Sequence, residues 1–126
     1  MFKIKVDDLI HKYPDGTKAL SGANIDVKEG EFLAILGANG SGKTTLLKHF
    51  NGLLKPASGS VTLDNKALSA FKSGEVFRKV GMVFQDPSDQ LIAPTVEEDV
   101  AFGPTNLGLN YDEIMNRVNT ALELVK

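Results

Sequence analysis

The sequence predicts an α/β fold in which half-buried β strands lead into a parallel core sheet. Three observations carry this reading. From Phe2 to Val6 apolar and charged residues alternate, the period-2 pattern of a half-buried strand. The run 32–36, FLAIL, is apolar at every position, as in a strand covered on both faces of a parallel sheet. Directly after a glycine-rich turn, Leu46, Leu47, Phe50, Leu53 and Leu54 recur at helical spacing.

The elements follow in order. Tyr13-Pro14-Asp15-Gly16 is a turn with proline in its favoured second place, and a second strand is expected over 23–27. Lys28-Glu29-Gly30-Glu31 turns the chain into the apolar run. After the glycine loop, Asn51-Gly52 suits the end of a helix. Val61 to Asn65 reads as a strand entering a turn, with Asn65 able to take the left-handed conformation. Another apolar run, 80–84, is expected as a strand that Pro87 stops. Thr95, three places before Glu98, opens a short helix expected to end before Gly103-Pro104. The last segment, with Ile114, Met115, Val118, Ala121, Leu122 and Val125 on one stripe, is an amphipathic helix whose pattern is still running at Lys126, as in a chain that continues.

Composition narrows the function. No stretch approaches the roughly 18 unbroken apolar residues of a membrane span, and no signal-peptide pattern opens the chain, so a cytoplasmic location is expected. Fourteen basic and sixteen acidic residues leave a charge of −2 with no basic stripe, which argues against nucleic acid as a partner. Cysteine is absent, removing disulfides and thiolate metal sites. His11 and His49 stand far apart in sequence and read as surface or half-buried residues, not as a zinc centre.

The chemistry concentrates in Gly37-Ala38-Asn39-Gly40-Ser41-Gly42-Lys43-Thr44, which matches G-x-x-x-x-G-K-[ST], the phosphate-binding loop. Such a loop must turn backbone N–H groups inward around anionic oxygens. Glycine permits the dihedrals and the close approach, and the following helix adds its positive end. Lys43 is placed to reach β and γ phosphates, the Thr44 hydroxyl to complete Mg²⁺ coordination, and Thr45 to meet an α-phosphate oxygen. A nucleotide held through its phosphates, with Mg²⁺, is therefore the expected ligand, and the resemblance described next makes that nucleotide ATP.

Many kinases, GTPases and transport ATPases share that loop, and the flanking residues discriminate among them. YPDGTKAL upstream, LGANGSGKTTLL in the middle and GMVFQDPSDQLIAPTVEEDVAFGP downstream together resemble the ATP-binding cassette ATPases. The last stretch is most similar to the subgroup serving cobalt, nickel and vitamin uptake through energy-coupling-factor transporters. The resemblance implies the P-loop NTPase fold of the cassette type, with an antiparallel β subdomain and a parallel core sheet that these residues leave incomplete, the strands and loop core over about 1–85 and the start of a helical region over about 85–126. It also implies a peripheral ATPase subunit on the cytoplasmic face of the membrane, dimerising with a second ATPase subunit against transmembrane partners. By the same resemblance Tyr13 matches the aromatic that stacks on adenine. Gln85 matches the glutamine that touches Mg²⁺ and the attacking water, a metal-binding and catalytic position beside Lys43.

The sequence also departs from that pattern. These residues contain no serine-glycine signature following the loop, no strand ending in Asp followed by a catalytic Glu, and no switch histidine. Leu20-Ser21-Gly22-Ala23 imitates the signature but precedes the loop. Asp86 is a weak rival for the Mg²⁺-binding aspartate, since Gln85 breaks the apolar run before it. The expectation is a chain that binds ATP without turning it over alone. A stand-alone nucleotide-binding module and a small-molecule kinase or GTPase remain the alternatives, although the guanine-reading Asn-Lys-x-Asp sequence does not occur.

Overall fold

In the computed structural model, which describes residues 2–72 and 74–126, the N-terminal alternation becomes β1 (Phe2–Lys12). The turn at Tyr13 closes through Gly16 N–H donating to Tyr13 O at 2.9 Å and Tyr13 N–H to Thr17 O at 2.9 Å. It returns the chain as β2 (Lys18–Lys28), longer than the expected 23–27. β3 (Ser58–Leu63) pairs with the other edge of β1, and β4 (Lys66–Ala67) with β3. The result is a four-stranded antiparallel sheet in the order β2-β1-β3-β4. Asp64 and Asn65, at φ 51° and 62°, make the β3–β4 turn, so Asn65 takes the left-handed conformation expected of it.

Helix α1 (Lys43–Phe50) packs on this sheet. Leu46 and Phe50 from the helix meet Val6, Leu9, Leu20 and Val61 from the strands in one buried cluster, flanked by Ile4, Ile25, Ile35 and Val80. Asn51 caps the helix C-terminus and Gly52, at φ 76°, carries the chain away, as the sequence implied. These elements lie in the first of two compact units, Met1–Met82, the second being Val83–Lys126.

Two expected strands do not form. Neither 32–36 nor 80–84 is a strand, and Phe32, Leu36 and Val83 are exposed at 97%, 91% and 86%. A parallel strand exists through neighbours that hydrogen-bond its edges, and none of the described residues pairs with either run. Only Ile35 and Val80 turn apolar side chains to the core. The structure thus forms the antiparallel part of the α/β fold and holds the parallel part as two runs without partners.

The second unit is helical. A 3₁₀ turn (Pro87–Asp89) leads to α2 (Val96–Asn106) and α3 (Tyr111–Leu124), which pack together with Val118 fully buried. Thr95 caps α2 by accepting from Glu98 N–H at 3.3 Å; the Glu98 carboxylate accepts from the Thr95 hydroxyl at 2.8 Å. Contrary to the sequence reading, α2 runs through Gly103-Pro104. Proline loses its own N–H, but the last turn closes on Leu107 N–H, which donates to Gly103 O and Pro104 O at 3.2 Å each, needing nothing from Pro104 N. Asn110 and Glu113 cap α3 reciprocally, a capping box the sequence reading missed.

Candidate functional site

The glycine loop hangs between the first sheet and α1. Ser41 N–H donates to Ala38 O at 3.2 Å and Leu46 N–H to Gly42 O at 2.8 Å, which starts the helix. Gly42, at φ 92°, is fixed by space as well as by dihedral, because a Cβ there would stand 2.6 Å from Ala19 O of β2. No side chain caps the N-terminus of α1 and no acidic residue occupies its first turn, whereas α2 and α3 are both capped by side chains. A helix end whose N–H groups no side chain takes, at the end of a glycine cradle that a Cβ would fill, fits a phosphate group.

Lys43 lies over the loop. Its ammonium donates to Gly37 O and Ala38 O, both at 2.7 Å, with Ser41 Oγ at 3.5 Å. Asn39, Gly40 and Ser41 are exposed at the tip and Thr44 is exposed on the first helical turn. The Thr44 hydroxyl is a hard oxygen donor of the kind Mg²⁺ takes. Thr45 points inward and is 7% exposed. Its Oγ1 lies 2.9 Å from the Tyr13 hydroxyl. A hydroxyl offers one donor and two acceptor positions, so with Tyr13 donating, the Thr45 proton stays available to a phosphate oxygen. The structure therefore joins the expected base-stacking residue to the phosphate loop.

Tyr13 is half-buried, its ring edge-on to His11 at 4.7 Å and 80°. His11 in turn meets His49 edge-on at 4.8 Å. The expectation that these histidines are surface or half-buried residues is corrected: His11 is 7% exposed and His49 0%. His49 Nδ1 lies 2.7 Å from Thr45 O, one helical turn back. Burial holds the His49 imidazole below its ordinary proton affinity, against the pull of the Thr45 carbonyl. The signal was present in the spacing, since His11 and Tyr13 are two apart along an extended segment and Thr45 and His49 four apart on a helix.

Gln85 belongs to the second unit, where it is exposed directly after the run 80–84. Beside it, Asp86 caps the 3₁₀ turn, accepting from Ser88 N–H at 2.9 Å and from the Ser88 hydroxyl. Those bonds keep the Asp86 carboxyl below the usual carboxylate range. Asp99 is used in the same way by Ile92 and Ala93 N–H, at 2.7 and 3.1 Å. Both carboxylates hold the local backbone.

An antiparallel sheet feeding a glycine loop, with a lysine folded over that loop and a helix left open at its N-terminal end, defines a P-loop nucleotide-binding fold of the ATP-binding cassette class. Comparison with known proteins makes this specific, and the chain belongs to the ABC transporter family, whose family model matches residues 20–126. A putative ABC transporter ATP-binding protein of Methanothermobacter marburgensis is 53% identical over 97% of the chain, and the chain covers 45% of that relative. The energy-coupling factor transporter ATP-binding protein EcfA of Methanocaldococcus jannaschii is 50% identical over 99% of the chain, which covers 46% of it. Among solved structures, cbiO1 of Clostridium perfringens, part of the ABC transporter complex cbiONQ, superposes with a TM-score of 0.80 at 47% identity, over 97% of this chain and 49% of that one. A dimeric ATP-binding cassette in a post-hydrolysis state with ADP and Pi gives 0.79 at 30% identity, over 95% of this chain and 56% of that one. The chain thus spans about half the length of the relatives it matches.

Proposed function

We propose that this chain is the nucleotide-holding part of an ATP-binding subunit that powers an energy-coupling-factor type importer of a metal ion, cobalt or nickel, or of a vitamin. The observation that carries the reading is the glycine cradle ending at an uncapped α1, with the Lys43 ammonium laid on the loop's own carbonyls and, among the described residues, paired with no carboxylate. In this reading backbone N–H groups of 37–42 and the first turn of α1 surround the phosphates, and Lys43 leaves Gly37 O and Ala38 O for the β and γ oxygens. Thr44 and Gln85 supply oxygen ligands to Mg²⁺, Thr45 an α-phosphate contact, and Tyr13 the face on which adenine stacks. Mg²⁺, when bound, neutralises charge developing on the phosphates.

The strand and loop core over 1–85 does the holding, and the residues from 85 onward begin the helical region facing other subunits. A second ATPase subunit completes the site, and transmembrane subunits receive the work at the cytoplasmic face of the membrane. The names of the relatives and the dimeric solved cassette support this. Without the signature and the acidic strand, the 126-residue chain binds MgATP but does not turn it over.

Calorimetry tests binding. Lys43→Ala should weaken MgATP by about 1.5–3 kcal/mol, the range for a hydrogen bond to a charged group; an unchanged affinity would sink the assignment. Phosphate release by the unaltered chain should stay at the buffer rate, and sustained release refutes the non-turnover reading.

A further inference from the structure

Tyr13 is held at three points. The turn fixes its backbone through Gly16 N–H and Thr17 O. The Thr45 hydroxyl fixes the far end of its side chain. Neither of these sets the rotation of the ring about its own long axis, because a backbone anchor and a hydroxyl at the para position both lie on or near that axis. Among the described residues the aromatic ring that meets Tyr13 is His11, edge-on at 80° and 4.7 Å. His11 cannot swing away, since it is itself buried and wedged edge-on against His49, which is fully buried on α1 and tied by Nδ1 to Thr45 O. His11 Nδ1 is buried without a hydrogen-bond partner among the described residues. Polar atoms left in that condition are costly in a core, so a leucine or phenylalanine would suit a purely space-filling role better.

We propose that His11 is a positioning residue that sets the plane of the Tyr13 ring, and through it the chain's preference for a nucleotide over a bare triphosphate. This rests on the reading of Tyr13 as the adenine-stacking residue. Stacking depends on ring orientation, and an aromatic pair favours a defined edge-to-face geometry through its quadrupole, a preference an aliphatic neighbour does not add. The chain of contacts runs from the phosphate-binding helix through His49 and His11 to Tyr13, so base recognition is braced on the element that carries the phosphate loop.

The test is calorimetry on the 126-residue chain with MgATP and with magnesium tripolyphosphate, read as the ratio of the two affinities. His11→Leu should lower that ratio roughly two- to tenfold, the size an edge-to-face contact carries, with tripolyphosphate binding unchanged. His11→Phe, which keeps an aromatic edge, should restore it. Tyr13→Ala should lower the ratio about fivefold to a hundredfold. A ratio lowered by Tyr13→Ala but untouched by His11→Leu overturns the role of His11 and leaves Tyr13's reading standing. A ratio untouched by Tyr13→Ala sinks the stacking reading and the proposal with it. In the unaltered chain, the His11 ring resonances should move on adding MgATP and stay still with tripolyphosphate. Equal movement with both ligands, or with neither, overturns the proposal without any variant having to fold.

Discussion

Replacing Gly42 by alanine should cost far more stability than replacing Gly40, although both lie in the same loop at similar positive φ, 92° and 80°. The dihedral penalty is common to both, about 1–2 kcal/mol for an L-residue in the left-handed region. The difference is space. A Cβ on Gly40 meets nothing within 4 Å, whereas one on Gly42 stands 2.6 Å from Ala19 O and 3.1 Å from Leu20 Cδ2. The nearest obstacle is backbone of β2, which no rotamer change can move aside, so the clash adds an overpacking term of about 1–3 kcal/mol. Gly40→Ala should therefore lose about 1–2 kcal/mol and Gly42→Ala about 2–5 kcal/mol. Urea unfolding of the two variants beside the parent, followed by far-ultraviolet circular dichroism, measures both losses, provided the slopes agree. Equal losses would refute the argument that β2 closes on the loop at this point.

Two further outcomes follow from local geometry. Asn110→Ala removes the oxygen that accepts from Glu113 N–H at 3.0 Å and should cost about 0.5–2 kcal/mol; amide exchange in the first turn of α3 should speed up, and unchanged protection there contradicts the capping role. His49 is held neutral by burial, so the unfolded chain takes up the proton more readily than the folded one. Its contribution is complete above the ordinary value of 6.5 and is lost as pH falls through that value toward the depressed one. The urea midpoint should drop between pH 7.5 and 5.5 and His49→Gln should flatten the curve; a parent already flat there refutes the assignment. The carboxylates of Asp64, held below the usual range by the Lys3 and Lys79 ammonium groups, and of Asp99, held there by Ile92 and Ala93 N–H, belong to a separate window, lost only as pH falls below about their ordinary 3.8.

What could be read from the sequence was what neighbours in the chain determine. The loop 37–44, the Asp64-Asn65 turn and the Thr95 cap each depend on a few adjacent residues, and each formed where the sequence placed it. The runs 32–36 and 80–84 failed as strands because a strand's edges are satisfied by residues elsewhere, which an apolar run cannot report about itself. Pro104 misled because a terminator was weighed without the closing bonds that Leu107 makes one turn later. In the site, Lys43 and the glycines were legible as a motif. The contacts Tyr13 to Thr45 and His11 to His49 were not, since they join the end of β1 and the turn after it to α1 across more than thirty residues of sequence. Only the pairing of β1 with β2 and the seating of α1 on the sheet bring those side chains together.

The two bonds from Lys43 to Gly37 O and Ala38 O make binding at this loop an exchange of partners rather than a simple addition. In the proposed reading, an arriving anion gains the ammonium only by drawing it off two carbonyls. Affinity at the loop is therefore a difference between two sets of contacts, and it measures the loop's grip on its own lysine as much as the lysine's attraction for phosphate.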